Sequence, residues 1–161
     1  GSTLALAGHQ LDLLNGGEVE HLPRFGERLA SCGLFPLKPL ELRIFQVNVG
    51  KMCNQVCKHC HVDAGPDRKE IMTRETMEEC IAVVERHRVP TVDITGGAPE
   101  MNPNFRWFVE RLSAGGARVL VRSNLTIILA HPQYHDLPEF FARHRCVVVS
   151  SLPYYQKSFT D

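Results

Sequence analysis

Three cysteines, Cys53, Cys57 and Cys60, stand close together in the run CNQVCKHC. Thiolates are soft ligands suited to iron and zinc. Three of them at this spacing can hold three irons of a 4Fe–4S cube and leave the fourth iron without a protein ligand. Clusters that only carry electrons normally have every iron ligated, so an open iron is a place where a small molecule can be chelated and changed. A second reading uses the same residues: Cys53, Cys57, Cys60 and His61 form a Cys3His set for tetrahedral structural zinc, although the adjacent Cys60 and His61 would have to bend onto one ion. His59, directly before the last cysteine, is placed to pack beside a cluster. His61, Asp63 and Arg68 read as a solvated loop that can touch a ligand. The other thiols, Cys32, Cys80 and Cys146, fall on expected helix faces or a strand and read as core residues.

Two further stretches carry chemistry. Gly96-Gly97-Ala98-Pro99-Glu100 directly follows an expected strand, and glycines there let the backbone approach a ligand closely. Alone, such a pair is only a turn. Ser123-Asn124-Leu125 and Ser150-Ser151-Leu152-Pro153 close two more expected strands with polar side chains.

The elements that must position these residues alternate. Strands are predicted over 42–49, 91–95, 118–123 and 146–151. Helices are predicted over 75–87, 104–113 and 137–144, the first capped by Thr73 with Met77, Cys80, Ile81 and Val84 on one face. A leading helix spans 23–32, with Phe25 and Leu29 inward and Gly33 ending it. Alternation of this kind implies an α/β fold with a parallel sheet, and in barrels of that class reactive groups gather at the C-terminal ends of the strands. Every stretch named above sits there. The organisation expected is a helical extension over 1–41 and a strand–helix domain over 42–161.

Within the strands, Phe45, Val47, Val49, Val92, Ile94, Val119 and Val121 share the face that should meet the helices. Gln46, Asn48, Asp93, Thr95, Arg122 and Asn124 fall on the other, joined by Leu120. Buried charge must be paired or hydrated, so Asp93 and Arg122 are expected partners. The concave face is expected to be solvated or ligand-filled; the alternative is that these groups satisfy one another.

The chain has 161 residues, with 18 basic and 18 acidic side chains and a formal net charge of zero. That balance gives no electrostatic footprint for nucleic acid or a membrane surface. The longest apolar stretches are too short to span a bilayer, and no basic-then-apolar leader opens the sequence. Clustered cysteines fit a metal better than disulfides and point to a reducing compartment, the cytoplasm.

The cysteine spacing with its aromatic neighbour, the glycine turn and the two strand-end motifs together resemble radical S-adenosylmethionine (SAM) enzymes. The resemblance implies a partial (β/α) barrel in which about four of the usual six strands are present. It implies a 4Fe–4S cluster on Cys53, Cys57 and Cys60, whose free iron is chelated by the amino and carboxylate groups of SAM. Gly96, Gly97, Ala98 and Glu100 would face the SAM amino group. The glutamate is displaced by the inserted Ala98-Pro99, which makes the backbone at Gly97-Ala98 the main contact. Asn124 and Ser151 would reach the SAM carboxylate or ribose; the glycine and Asp-Gly that follow them in relatives are missing here.

The runs VNVGKMCNQVCKHCHVDAGPDRKE (47–70), TVDITGGAPEMNPNFRWFVERL (91–112) and VRSNLTI (121–127) look more specifically like the arsenosugar-biosynthesis radical SAM family. This resemblance implies that SAM is cleaved with an electron from a low-potential donor such as flavodoxin or ferredoxin. The 5′-deoxyadenosyl radical then adds to a trivalent methylated arsenical. Two departures stand out. The family is about twice as long, with a C-terminal region absent here, and Tyr154 occupies a position where a cysteine, a soft arsenic ligand, is expected. Two alternatives stay open: a hydrogen-abstracting radical SAM enzyme acting on a peptide or small molecule, and a non-catalytic iron–sulfur or zinc module.

Overall fold

A computed structural model describes residues 6–15 and 22–150. Ser151 and Tyr154 lie outside the described residues. The chain divides into two compact units, Gly1–Glu41 and Leu42–Asp161.

In the first unit, α1 covers Ala7–Asn15 and α2 covers Phe25–Ser31. The first of these was not predicted. At the start of α2 the Glu27 carboxylate accepts from the Arg24 amide at 3.1 Å. At its end Gly33 takes φ +71° while the Leu34 amide donates to the Leu29 carbonyl at 2.9 Å, the closing bond of a Schellman turn. Phe25 is 71 % exposed and not inward as expected. Cys32 is likewise exposed and is no core thiol.

The second unit holds β1 (Ile44–Asn48), β2 (Thr91–Thr95), β3 (Arg118–Arg122) and β4 (Val147–Val149) in one parallel sheet of order β1-β2-β3-β4. Between them run α3 (Arg74–His87), α4 (Phe105–Ala114), the short α5 (Ile127–Ala130) and α6 (Leu137–Arg143). The four strands in sequential order with helical crossovers give the expected partial barrel.

Local chemistry explains the elements. Thr73 caps α3, its hydroxyl accepting from the Thr76 amide at 3.3 Å. Met77, Ile81 and Val84 are buried, while Cys80, expected on the same face, is half-buried. Phe105, Phe108, Val109 and Leu112 recur at helical spacing and bury the inner face of α4. Val47, Val92, Ile94, Val119 and Val121 alternate along the strands to meet them in one apolar cluster. The Phe105 ring meets Phe141 edge-on, with centroids 6.3 Å apart. Each such side chain contributes roughly 1.5–3 kcal/mol by leaving water. This packed layer is the platform; the chemistry-bearing loops rise from the strand ends above it.

Candidate functional site

The cysteine loop leaves β1 at Val49 and returns at Met72. It is zipped at its base, with the Met72 amide donating to the Val49 carbonyl at 2.9 Å and the Lys51 amide to Glu70 at 2.8 Å. One step further out, Gly65 donates to Lys51 at 3.0 Å and Cys53 donates to Gly65 at 3.1 Å. All three cysteines therefore ride on the excursion between Cys53 and Gly65. Cys53 is 6 % exposed, and Cys57 and Cys60 are half-buried. Two of the sulfurs accept backbone N–H groups: Gln55 donates to Cys53 Sγ at 3.5 Å and Ala64 to Cys60 Sγ at 3.3 Å. Such donors orient a thiolate and offset its charge when it binds metal.

None of the six cysteines forms a disulfide. Among the described residues, no three histidine, cysteine or acidic side chains converge as a single ion requires. A cube asks for something different, since its thiolates attach to three separate irons. Three thiols spread along one clamped loop fit that demand. His59 and His61 both lie on the exposed side of the loop. Arg68 bridges Asp63 at 3.2 Å and Glu70 at 3.3 Å, tying down the return limb. Lys51, His61, Asp63, Glu70 and Thr73 line an open cleft of about 740 Å³ beside it.

The glycine turn after β2 is the other half of the clamp. The Gly97 amide donates to the Gly50 carbonyl at 2.9 Å, and the Ala98 amide to Met52 at 2.8 Å. A Cβ on Gly97 would collide with the Met52 carbonyl oxygen and stand 2.9 Å from the Cys53 Cβ. Gly50, at φ +142°, is equally constrained, since a Cβ there would lie 2.5 Å from the Glu70 carbonyl oxygen. Glycine is required at both places because backbone meets backbone. The two amide donors of the turn are thus committed to the cysteine loop.

Glu100 sits in a 3₁₀ turn, Pro99–Met101, and is 6 % exposed. Neither carboxylate oxygen makes a hydrogen bond of good geometry, although the Ser123 hydroxyl is near enough to act on the carboxyl. Burial pushes this carboxyl above its ordinary range, opposed only by Ser123 and its own backbone. Asn102, two residues on, explains how the turn is held. Its amide nitrogen donates to the Val49 carbonyl at 3.0 Å and the Met72 carbonyl at 2.9 Å, while its oxygen accepts from the Asn104 amide at 2.9 Å. That pin was missed in the sequence, although Asn102 stands inside the APEMNP run.

Asn124, at the end of β3, touches the cysteine loop. Its amide nitrogen lies 3.6 Å from Cys53 Sγ and 2.9 Å from Asn54 Oδ1; its oxygen accepts from the Thr126 hydroxyl at 3.0 Å and the Ile127 amide at 3.1 Å. Neither Asn54 nor Thr126 was expected to take part, since both read as ordinary loop residues.

On the concave face the expected pair is present. Arg122 donates to Asp93 through Nε at 3.0 and 3.1 Å and through Nη2 at 2.9 Å, and Gln46 Nε2 donates to the same carboxylate at 2.9 Å. Burial alone would raise the Asp93 pKa, but the bonds from Arg122 and Gln46 and the Arg122 charge together hold it below its ordinary value. Here the groups satisfy one another, while Arg122 keeps 48 % of its side chain exposed to whatever fills the concavity. Asn48 turns back on the backbone, its oxygen accepting from the Gly50 amide at 3.0 Å.

Residues 47–150 match the radical SAM superfamily model. A probable GTP 3′,8-cyclase of Pyrococcus horikoshii is 30 % identical over 67 residues, covering 42 % of this chain and 22 % of that protein. Among solved structures, BtrN in an open conformation superposes with a TM-score of 0.51 at 15 % identity, over 71 % of this chain and 58 % of that one. BtrN in complex with AdoMet and 2-DOIA gives 0.48 at 18 % identity, over 65 % and 44 %. The chain spans about a fifth of the curated relative's length, and the likeness to the solved structures is one of fold. The match is to the superfamily as a whole and does not single out an arsenosugar branch. With a three-cysteine loop clamped against a glycine turn at the rim of a parallel sheet, and a family match over most of its length, the chain belongs to the radical SAM superfamily.

Proposed function

We propose that the chain carries the cluster and SAM-binding part of an enzyme that joins the 5′-deoxyadenosyl group of SAM to a trivalent methylated arsenical, making an arsenosugar precursor. The observation that carries the radical SAM part is the clamp: Cys53, Cys57 and Cys60 ride on a loop whose base is bonded to Gly97 and Ala98. When bound, a 4Fe–4S cluster supplies one-electron reduction of the SAM sulfonium, which releases methionine and a 5′-deoxyadenosyl radical. The chain's own residues hold and orient. The three thiolates anchor the cluster, and His59 flanks it. An amine that chelates iron still carries N–H donors, so at the turn over 96–100 the Glu100 carboxylate, buried without a partner, and backbone carbonyls of Gly96 and Gly97 are the groups suited to the SAM amine. Ser151 is assigned to the SAM carboxylate or ribose.

The arsenic half rests on the resemblance of 47–70, 91–112 and 121–127 to the arsenosugar family. The concave face supports it chemically. Its Arg122 is already neutralised by Asp93, so that pair offers no unspent cation to a phosphorylated substrate and suits a small neutral one. An arsenic(III) lone pair accepts the carbon radical; loss of one electron back to the oxidised flavodoxin or ferredoxin, and of the hydroxyl proton, then yields the arsine oxide. A low-potential flavodoxin or ferredoxin as donor and a reducing cytoplasmic setting complete the proposal. Among the described residues no helix is long and apolar enough to cross a membrane.

The test is EPR of the anaerobically reconstituted, reduced chain with and without SAM, followed by product analysis with dimethylarsinous acid. A signal that moves on SAM addition, then a SAM-dependent adenosyl–arsenic product, is expected. A shifted signal with 5′-deoxyadenosine carrying substrate hydrogen would replace arsenic addition by hydrogen abstraction. Bound zinc with no iron signal would end the radical reading.

A further inference from the structure

Cys53 Sγ receives two N–H groups of different origin. The Gln55 amide is a local neighbour that comes with the loop. The second, from the Asn124 side chain at 3.6 Å, arrives from the end of β3, 71 residues away in sequence. A side-chain donor from so far away has to be aimed, and the structure shows how.

Asn54, Thr126 and Asn124 form a closed ring. The Asn54 amide donates to the Thr126 hydroxyl at 2.8 Å, that hydroxyl donates to Asn124 Oδ1 at 3.0 Å, and the Asn124 amide donates back to Asn54 Oδ1 at 2.9 Å. The Ile127 backbone amide adds a fourth bond, to Asn124 Oδ1 at 3.1 Å. A carboxamide has two N–H donors and two acceptor lone pairs, and in Asn124 all four are engaged. Flipping the amide would set oxygen against Asn54 Oδ1 and against sulfur, so the ring fixes which atom faces Cys53. Bonds circulating in one sense also polarise one another. The backbone bends to build this ring: Leu125, between Asn124 and Thr126, takes φ +59°, a region that a side chain of this kind rarely enters.

We infer that Asn54, Asn124 and Thr126 are a positioning unit that delivers one N–H to the Cys53 sulfur and thereby raises the reduction potential of the cluster. The inference rests on the proposal that Cys53 ligates a 4Fe–4S cluster. Hydrogen bonds to ligand sulfurs are among the factors that set such potentials, because a partial positive charge beside the thiolate stabilises the added electron. Asn124 then serves the sulfur and has no bonding capacity left over for SAM. Changes to the ring act on how easily the cluster takes its electron, before any substrate is present.

The experiment is an anaerobic redox titration of the reconstituted chain without SAM, followed by EPR, with iron and sulfide assayed in parallel. Asn124→Leu removes the donor at similar volume. It should shift the reduction equilibrium about tenfold toward the oxidised cluster, a fall of about 59 mV for a one-electron couple. Asn54→Ala and Thr126→Val loosen the aim without removing the donor and should shift it the same way by about threefold. Thr126→Ser keeps the hydroxyl and should restore the parental potential. Full iron content with the parental potential in Asn124→Leu, or in both ring variants should Asn124→Leu fail to fold, overturns the inference and leaves cluster binding intact. A parental chain that takes up no iron and sulfide overturns both.

Discussion

Gly96-Gly97 and Gly115-Gly116 are the same dipeptide at opposite ends of the sheet, and they are glycine for opposite reasons. At the rim, a Cβ on Gly97 would strike the Met52 carbonyl and crowd the Cys53 side chain. At the other end, a Cβ on Gly116 meets nothing within 4 Å, but the residue takes φ +85° to turn the chain out of α4 and into β3. The Ala117 amide closes that turn on the Leu112 carbonyl at 3.1 Å. One pair makes room for a second loop; the other only changes direction. Crowding by a separate segment, more than the presence of glycine, marks the site end.

The largest effect should therefore come from Gly97→Ala. Overpacking against rigid backbone costs about 1–3 kcal/mol, occasionally more, and the part that has to yield is the cysteine loop. The variant should fold with a lowered urea midpoint and fail to retain a cluster after reconstitution. Full iron content at parental stability would break the contrast between the two turns.

Glu100 belongs to the same rim turn and sharpens the comparison, because it is a cost that packing alone does not repay. Its folded pKa is raised by burial above the usual value of 4.5. The sign follows: as pH rises through that ordinary value the unfolded chain releases a proton that the folded chain still holds, so stability falls, and the fall is complete once pH exceeds the folded pKa. Glu100→Gln should abolish that decline and gain about 1–2 kcal/mol at pH 7.5, with little change at pH 4. Urea denaturation at both pH values measures it; parallel pH slopes for the two proteins would refute it. SAM affinity should fall in the same variant if the carboxylate faces the SAM amine.

How far these features were legible depends on how local their causes are. The β2 boundaries and the Thr73 cap of α3 could be read directly, since apolar alternation and a hydroxyl three residues before its amide partner are written in adjacent residues. The Asp93–Arg122 pair was legible because strand alternation puts both on one face. Phe25 was misread: helical spacing can place a ring on a face, but cannot say whether anything covers that face. The four-residue α5 is too short to show a period. Asn54, Asn102 and Thr126 look like solvated loop positions, and their partners lie far along the chain. At Leu125, φ +59° in a non-glycine residue has no compositional signal at all. What escaped was the cross-loop bonding that turns three motifs into one site.

At the far turn the effects shrink. Gly116→Ala should cost about 1–2 kcal/mol, the penalty for a side chain in the left-handed region, and Gly116→Asn less, because asparagine tolerates that conformation. Both should keep full iron content, since Cys53, Cys57 and Cys60 lie on the loop at the other end of the sheet.

Gly115→Ala should do least. Gly115 already has the helical φ of −73°, so alanine brings no backbone strain and saves the entropy that a glycine loses on folding, about 0.5–1 kcal/mol. Against this, the added Cβ would stand 3.4 Å from the Leu112 carbonyl oxygen and 3.5 Å from that of Arg111, both on its own helix. The first is a tight contact and the second an ordinary one, so the two terms nearly cancel and the urea midpoint should stay within about 0.5 kcal/mol of the parent. A loss as large as that of Gly97→Ala would mean that this doublet, too, is packed against something that backbone geometry alone does not reveal. A null result here beside a lost cluster at Gly97 would tie the difference between the turns to the loop that each one has to admit.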